Sequence, residues 1–292
     1  MYDDKISIFN TVGNAFSAID IAEPIRIKVP PTKKLIDVWY QLMETQYGDQ
    51  FCLIQDQGYI YGYLTLDDEV FVSESNERST DKPIKDFAIP ITPNLIVPSN
   101  IPLLDLVQLF QKQYFFFILQ SNSINHIVTF QDLDKLPVKL CLFSLFMKLE
   151  DEILKLLEHS DSIEKYLNLL PQKRYNNALE LCRMKYGDKE NSYLILRCTN
   201  FIDKKTIIRK SLNILKRLPF SSKTELDSFF CLVEKVRNSI AHSDSIMEIL
   251  TSPFEFNSFV NKLQRLIEAV FFIKCESLRK PNNSIMSSVS KE

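Results

Sequence analysis

Two segments of this chain spell the same β-α-β-β-α pattern. That internal repeat constrains the fold more than any other feature. In residues 25–70, Ile25 to Val29 alternates as a strand and Leu35 to Met43 has helical period. Phe51 to Ile54 is a short apolar strand, Gly58 makes a turn and Tyr59 to Thr65 reads as a second strand. Residues 95–134 repeat this order. Val29-Pro30 matches Val97-Pro98, and Leu35-Ile36-Asp37 matches Leu103-Leu104-Asp105, at an offset of 68. Gly62-Tyr63-Leu64-Thr65-Leu66-Asp67-Asp68 then matches His126-Ile127-Val128-Thr129-Phe130-Gln131-Asp132 at an offset of 64, so the second copy is four residues shorter in its middle.

Each copy ends on Thr-x-x-Asp, as Thr65/Asp68 and Thr129/Asp132. At a strand-to-helix corner this spacing sets a hydroxyl beside a carboxylate. The carboxylate can accept both hydroxyls of a ribose, and helix N-terminal amides can meet phosphate. The same residues are also ordinary helix N-caps. The tandem resembles a pair of CBS domains. That family's Gly-h-h-Thr/Ser-x-x-Asp ending is complete in the first copy as Gly62, Thr65 and Asp68, whereas His126 stands at the glycine position of the second. The resemblance implies an adenosine nucleotide between the repeats, acting as a regulator. Lys28, Lys33, Lys34 and Lys112 are the few cations nearby.

From Cys141 onward the period changes to helical. Leu142, Leu145, Phe146, Leu149, Ile153, Leu156 and Leu157 form one stripe. Asp134-Lys135-Leu136-Pro137 reads as a short linker before it. Further helices are predicted at about 162–170, 174–186, 191–200, 204–217, 224–242 and 255–279, with breaks at Pro171, Gly187, Pro219 and Pro253. The expected class is therefore α+β and multidomain. A β-α-β-β-α repeat pair occupies 1–138, with copies at about 15–75 and 84–136. An all-α bundle follows at 139–280, and 281–292 reads as a disordered tail.

Charge separates the same halves. Residues 1–139 carry 11 Lys and Arg against 18 Asp and Glu, while 140–280 carry 23 against 18. A polyanionic partner is thus expected on the helical half. The six cysteines are scattered without a CxxC, and the three histidines form no HExxH. They read as reduced thiols of a cytoplasmic protein with no metal site. No apolar run approaches the roughly 20 residues of a membrane span.

The helical half holds one polar constellation. Phe229, Leu232, Val233, Val236 and Ile240 make a buried stripe, and Arg237, Asn238 and His242 interrupt the other side. Ser245 and Glu248 read as a capping box opening the next helix. On a straight helix Asn238 and His242 lie roughly 40° apart, whereas Arg237 and His242 lie roughly 140° apart. One helix does not readily aim the latter two at one atom, but two copies of it could. A second pattern, Lys204, Lys205, Arg209 and Lys210, is either a footprint for RNA phosphates or a solvated basic face. Glu150, Asp151 and Glu152 read as a solvated acidic face.

Arg237-Asn238 followed by His242 resembles the Arg-x4-His motif of the HEPN superfamily. The resemblance implies a homodimeric endoribonuclease that cleaves single-stranded RNA and requires no cofactor for catalysis. Arg237, Asn238 and His242 would be its catalytic residues, and the resemblance further implies Glu150, Asp151 and Glu152 as a buttress for Arg237. The alternative is a non-catalytic HEPN-like binding module carrying a nucleotide sensor. A surface arginine and a helix-end histidine favoured by the helix dipole would look the same in sequence.

Overall fold

A computed structural model of the chain describes residues 15–44, 51–65, 81–111, 113–159, 163–187, 189 and 191–279. The chain divides into two compact units between Val138 and Lys139.

The first unit holds two small sheets. β1 (Glu23–Pro24), β2 (Ile27–Val29), α1 (Leu35–Glu44), β3 (Phe51–Asp56) and β4 (Tyr59–Thr65) come first. β5 (Ile96–Pro98), α2 (Leu103–Leu109), β6 (Phe115–Gln120) and β7 (Ser123–Thr129) repeat them. One sheet has the order β2-β3-β4 and the other β1-β7-β6-β5. In each copy the first pair is parallel and the second antiparallel. The hairpin register slips at Ile54/Gln55 in one and at Ile118/Leu119 in the other, the same place 64 residues on. Both hairpins turn through two residues of positive φ, Gln57-Gly58 and Ser121-Asn122, as the right-handed strand twist requires.

β3 is buried on both faces, and its alternation explains how. Cys52 and Ile54 face the core that α1 covers with Leu35, Val38 and Leu42. Leu53 faces the other way, into a cluster with Tyr63, Phe117, Ile124 and Ile127. That cluster joins the two sheets through equivalent positions. Leu53 and Phe117, Ile60 and Ile124, and Tyr63 and Ile127 are each 64 apart. The repeats therefore pack through the same surface of each copy.

The second unit is helical among its described residues. α3 (Leu136–Glu158) precedes α4 (Ile163–Leu167), α5 (Gln172–Tyr186), α6 (Ser192–Arg197) and α7 (Phe201–Lys210). α8 (Leu212–Leu215), α9 (Lys223–His242) and α10 (Pro253–Arg279) complete it. The whole expected stripe of α3, from Leu142 to Leu157, is buried. So are Phe229, Val233 and Val236 of α9, and Phe259, Leu263 and Val270 of α10. Phe146, Phe229 and Phe259 meet at ring-centroid distances of 5.8–6.2 Å.

Four local expectations change. Leu136 and Pro137 are not linker but the first turn of α3, where a proline's missing N–H costs nothing. The predicted helix 204–217 is two helices, broken at Ser211 with ψ 92°. Ser245 caps only the three-residue turn Ile246–Glu248 through the Met247 N–H. The next long helix opens later, at Pro253, which is its first residue rather than a break. Ser252 accepts from the Glu255 N–H, and Glu255 accepts from Thr251.

Candidate functional site

The repeat ending of the second copy is a closed corner. Thr129 ends β7, and Phe130–Asp134 turns as a 3-10 helix. The Thr129 N–H and hydroxyl donate to Asp132 Oδ2 at 2.6 and 2.9 Å. Lys135 Nζ sits 2.9 Å from Asp132 Oδ1 and also binds Glu23 and the Ile21 carbonyl. Burial alone would lower the Lys135 pKa, but the hydrogen bonds to Glu23 and Asp132 hold it above its ordinary value. Asp132 is only 7% exposed. Its carboxylate thus spends most of its capacity on capping and on one lysine. In the first copy Thr65 closes β4 and is half-buried. Asp68 and Lys112 lie outside the described residues.

Position 62 shows why the first copy has glycine. A Cβ there would lie 2.5 Å from the Ile89 carbonyl oxygen, and the residue has φ +155°. The Ile89 backbone exchanges two 3.0 Å hydrogen bonds with Tyr63, beside that contact. In the second copy β1 takes this place, and Pro24 stands opposite His126. The His126 Nδ1 is buried without a hydrogen-bond partner among the described residues. The expected cations have local partners: Lys28 on Asn125, Lys33 on Gln41 and Lys34 on Asp81.

The second candidate site is the C-terminal end of α9. Ser222 caps its start by accepting the Glu225 N–H, and Glu225 accepts from Ser221 in return. At the other end the helix stays regular through His242, then Ser243 adopts the left-handed conformation, φ 64°. The Ser243 N–H bonds the Ile240 carbonyl and the Asp244 N–H the Ser239 carbonyl, closing the last turn. Lys139 of α3 donates to the Asp244 carbonyl at 2.9 Å. Because the last turn does not unwind, Arg237 and His242 keep roughly their 140° separation. Asn238 and His242 are exposed. Arg237 turns toward α3, its Nη2 3.8 Å from Glu150 Oε2 and its guanidinium 5.9 Å from the Phe201 ring centroid.

The four cations expected to face RNA do not form one open face. Lys204 is 2% exposed and points inward to Glu150 and the Thr199 carbonyl. Lys205 is half-buried. Arg209 is exposed but pairs with Asp227 at 2.6 Å, and Lys210 donates to the Leu169 carbonyl at 2.7 Å. The acidic trio of α3 also divides. Glu150 holds Arg237 and Lys204, and Asp151 pairs with Lys155. Glu152, 1% exposed, is buried between Lys148 and Lys274 rather than solvated. The resemblance offered the acidic trio, Glu150 among it, as a buttress for Arg237. It carried no sign that Lys204 and Phe201 would join it.

Among the described residues no group of three or more His, Cys, Asp and Glu is placed to hold a metal ion. No helix of the described residues is long and apolar enough to cross a membrane. No family model matches the chain, and no curated protein matches it. Solved structures do. The CBS domain of the bacterial CNNM/CorC family Mg2+ transporter in complex with ATP is similar over 49% of this chain and 98% of that one, at 13% identity and a TM-score of 0.36. A second structure of such a CBS domain is similar over 47% of this chain and 83% of its own, again at 13% identity and a TM-score of 0.36.

Proposed function

We propose that the chain is a HEPN-type endoribonuclease that cleaves single-stranded RNA without a metal ion and is regulated by an adenosine nucleotide on its repeat unit. The end of α9 carries this reading. Asn238 and His242 reach solvent from a capped, regular helix, and Arg237 beside them is held by a carboxylate of another helix. His242 supplies an imidazole, a side chain able both to accept and to donate a proton. It would take the 2′-hydroxyl proton as that oxygen attacks the adjacent phosphorus. Arg237 would meet the charge that builds on the phosphoryl oxygens. The 5′-oxygen would leave with a proton given by the protonated imidazole of the second copy's equivalent histidine, giving a 2′,3′-cyclic phosphate and a 5′-hydroxyl. Asn238 would orient His242 one turn away or hold a phosphate oxygen.

The angle between Arg237 and His242 favours two copies, each completing the other's site. α3 carries a face for such contact. Leu140 and Met147, 42% and 49% exposed, lie on the helix that also bears Glu150. The regulatory half of the proposal rests on the matched Thr-x-x-Asp endings of the two copies.

The test is cleavage of a labelled single-stranded RNA in EDTA by wild type and His242→Ala, with and without ATP or AMP. Cleavage by wild type that is lost in His242→Ala supports the reading, and a nucleotide effect on it supports the regulatory half. Undiminished cleavage by Arg237→Ala/His242→Ala would overturn it. The same 140° separation also fits a non-catalytic binding module. RNA binding with no turnover under any condition would select that alternative.

A further inference from the structure

We propose that Lys204 is a positioning residue that keeps Arg237 oriented, yet not neutralised, toward a phosphodiester, acting through Glu150. This inference rests on the reading of Arg237 as a phosphate-binding group. The position of the lysine is set by backbone. Its Nζ donates to the Thr199 carbonyl at 2.6 Å, and the Thr199 hydroxyl is itself tied to the Leu196 carbonyl at 2.6 Å. Asn200 and Asp203 cap α7 reciprocally, and Arg174 holds Asp203 from α5. An ammonium fixed at this depth requires a carboxylate. Glu150 supplies one, with Oε1 at 3.1 Å.

That contact decides what Glu150 can do for Arg237. A free carboxylate grips a guanidinium through both oxygens, and the pair sums to zero charge. Here Oε1 is taken by Lys204, and only Oε2 faces Arg237, at 3.8 Å. One carboxylate shared by two cations leaves a net positive charge. Phe201 supports the guanidinium from beside it. The remaining Arg237 N–H groups stay available to an anion.

The experiment follows the Arg237 Nε–H resonance by NMR while inorganic phosphate is added. Lys204→Met keeps the apolar stem and removes the charge. Arg237 should then collapse onto Glu150. Its resonance should move before any phosphate is added, and the apparent phosphate affinity should fall roughly tenfold. Adding Glu150→Gln to that variant restores the net charge and should recover most of the affinity. A merely structural lysine predicts additive loss with no recovery, and that result would overturn the proposal. If Lys204→Met does not fold, Lys204→Gln serves: its amide can still donate to the Thr199 carbonyl and to Glu150 but carries no charge, and an unmoved Arg237 resonance in that variant would refute the relay. The ribonuclease reading fails separately: a phosphate-responsive Arg237 in a protein that cleaves no RNA removes the catalysis and leaves the relay standing.

Discussion

Phe51 and Phe115 meet edge to face with ring centroids 4.7 Å apart, and they are the same position of the two repeats, 64 residues apart. Each also touches Phe117, at 6.4 and 5.6 Å. The contact is therefore where the internal symmetry becomes packing. A double-mutant cycle with Phe51→Leu and Phe115→Leu should give a coupling of about 0.5–1.5 kcal/mol in urea unfolding. Strict additivity would mean that the sheets do not meet there.

Gly62 should be intolerant of any side chain. The Cβ of Gly62→Ala would enter the Ile89 carbonyl, which is backbone and held by hydrogen bonds. A loss of about 2–3 kcal/mol is expected. The equivalent change His126→Ala should cost less, because that position already carries a side chain. Equal losses in the two variants would contradict the asymmetry of the corners.

Ser243→Gly should stabilise the protein. Ser243 holds φ 64° to close α9, and a glycine there avoids the Cβ penalty of about 1 kcal/mol. Thermal unfolding should shift upward by a few degrees. No shift would indicate that the left-handed turn opens in solution.

Glu152 should shape the acid limb of stability. Burial pushes its pKa up, but hydrogen bonds from Lys148 and Lys274 outweigh burial and hold it below the usual 4.5. A carboxyl with a depressed folded pKa contributes its full stability above the unfolded value. That contribution is lost as pH falls through the folded one. Glu152→Gln should therefore be less stable than wild type at pH 7, with the difference narrowing below pH 4.5. Glu152→Ala should lose about 3–5 kcal/mol by stranding two ammonium groups. A pH-independent difference for Glu152→Gln would refute the assignment.

Thiol reactivity should follow burial. Burial pushes Cys52 up to about 12 and Cys141 up to about 11, so neither forms thiolate near neutrality. Cys231 is exposed on α9. Iodoacetamide at pH 8 should modify Cys231 in the native protein and reach Cys52 and Cys141 only on unfolding. Early labelling of Cys52 would place β3 nearer solvent than its packing allows.

The repeat was legible because strand pairing writes itself locally. The matched Gly62–Asp68 and His126–Asp132 segments mark the same strand ending twice, and the short turns between neighbouring strands leave one register. The helical stripes of α3, α9 and α10 were equally visible, since each helix shows one apolar face whatever covers it. The contact that Gly62 makes with the Ile89 carbonyl was not legible, because a glycine in the sequence does not say which backbone comes near it.

Charge partners were a different matter. Lys204 and Lys205 look alike in a sequence, and helical spacing does not say which of them faces inward. That depends on Glu150, 54 residues earlier, and on the Thr199 carbonyl, which has no side-chain signature. Glu152 read as surface for the same reason until Lys148 and Lys274 closed over it. Local periodicity by itself determined most of the elements, their repeat and the position of Arg237, Asn238 and His242 at a helix end. Only the tertiary structure decided which cations are spent, because burying an ion depends on a partner brought from elsewhere in the chain.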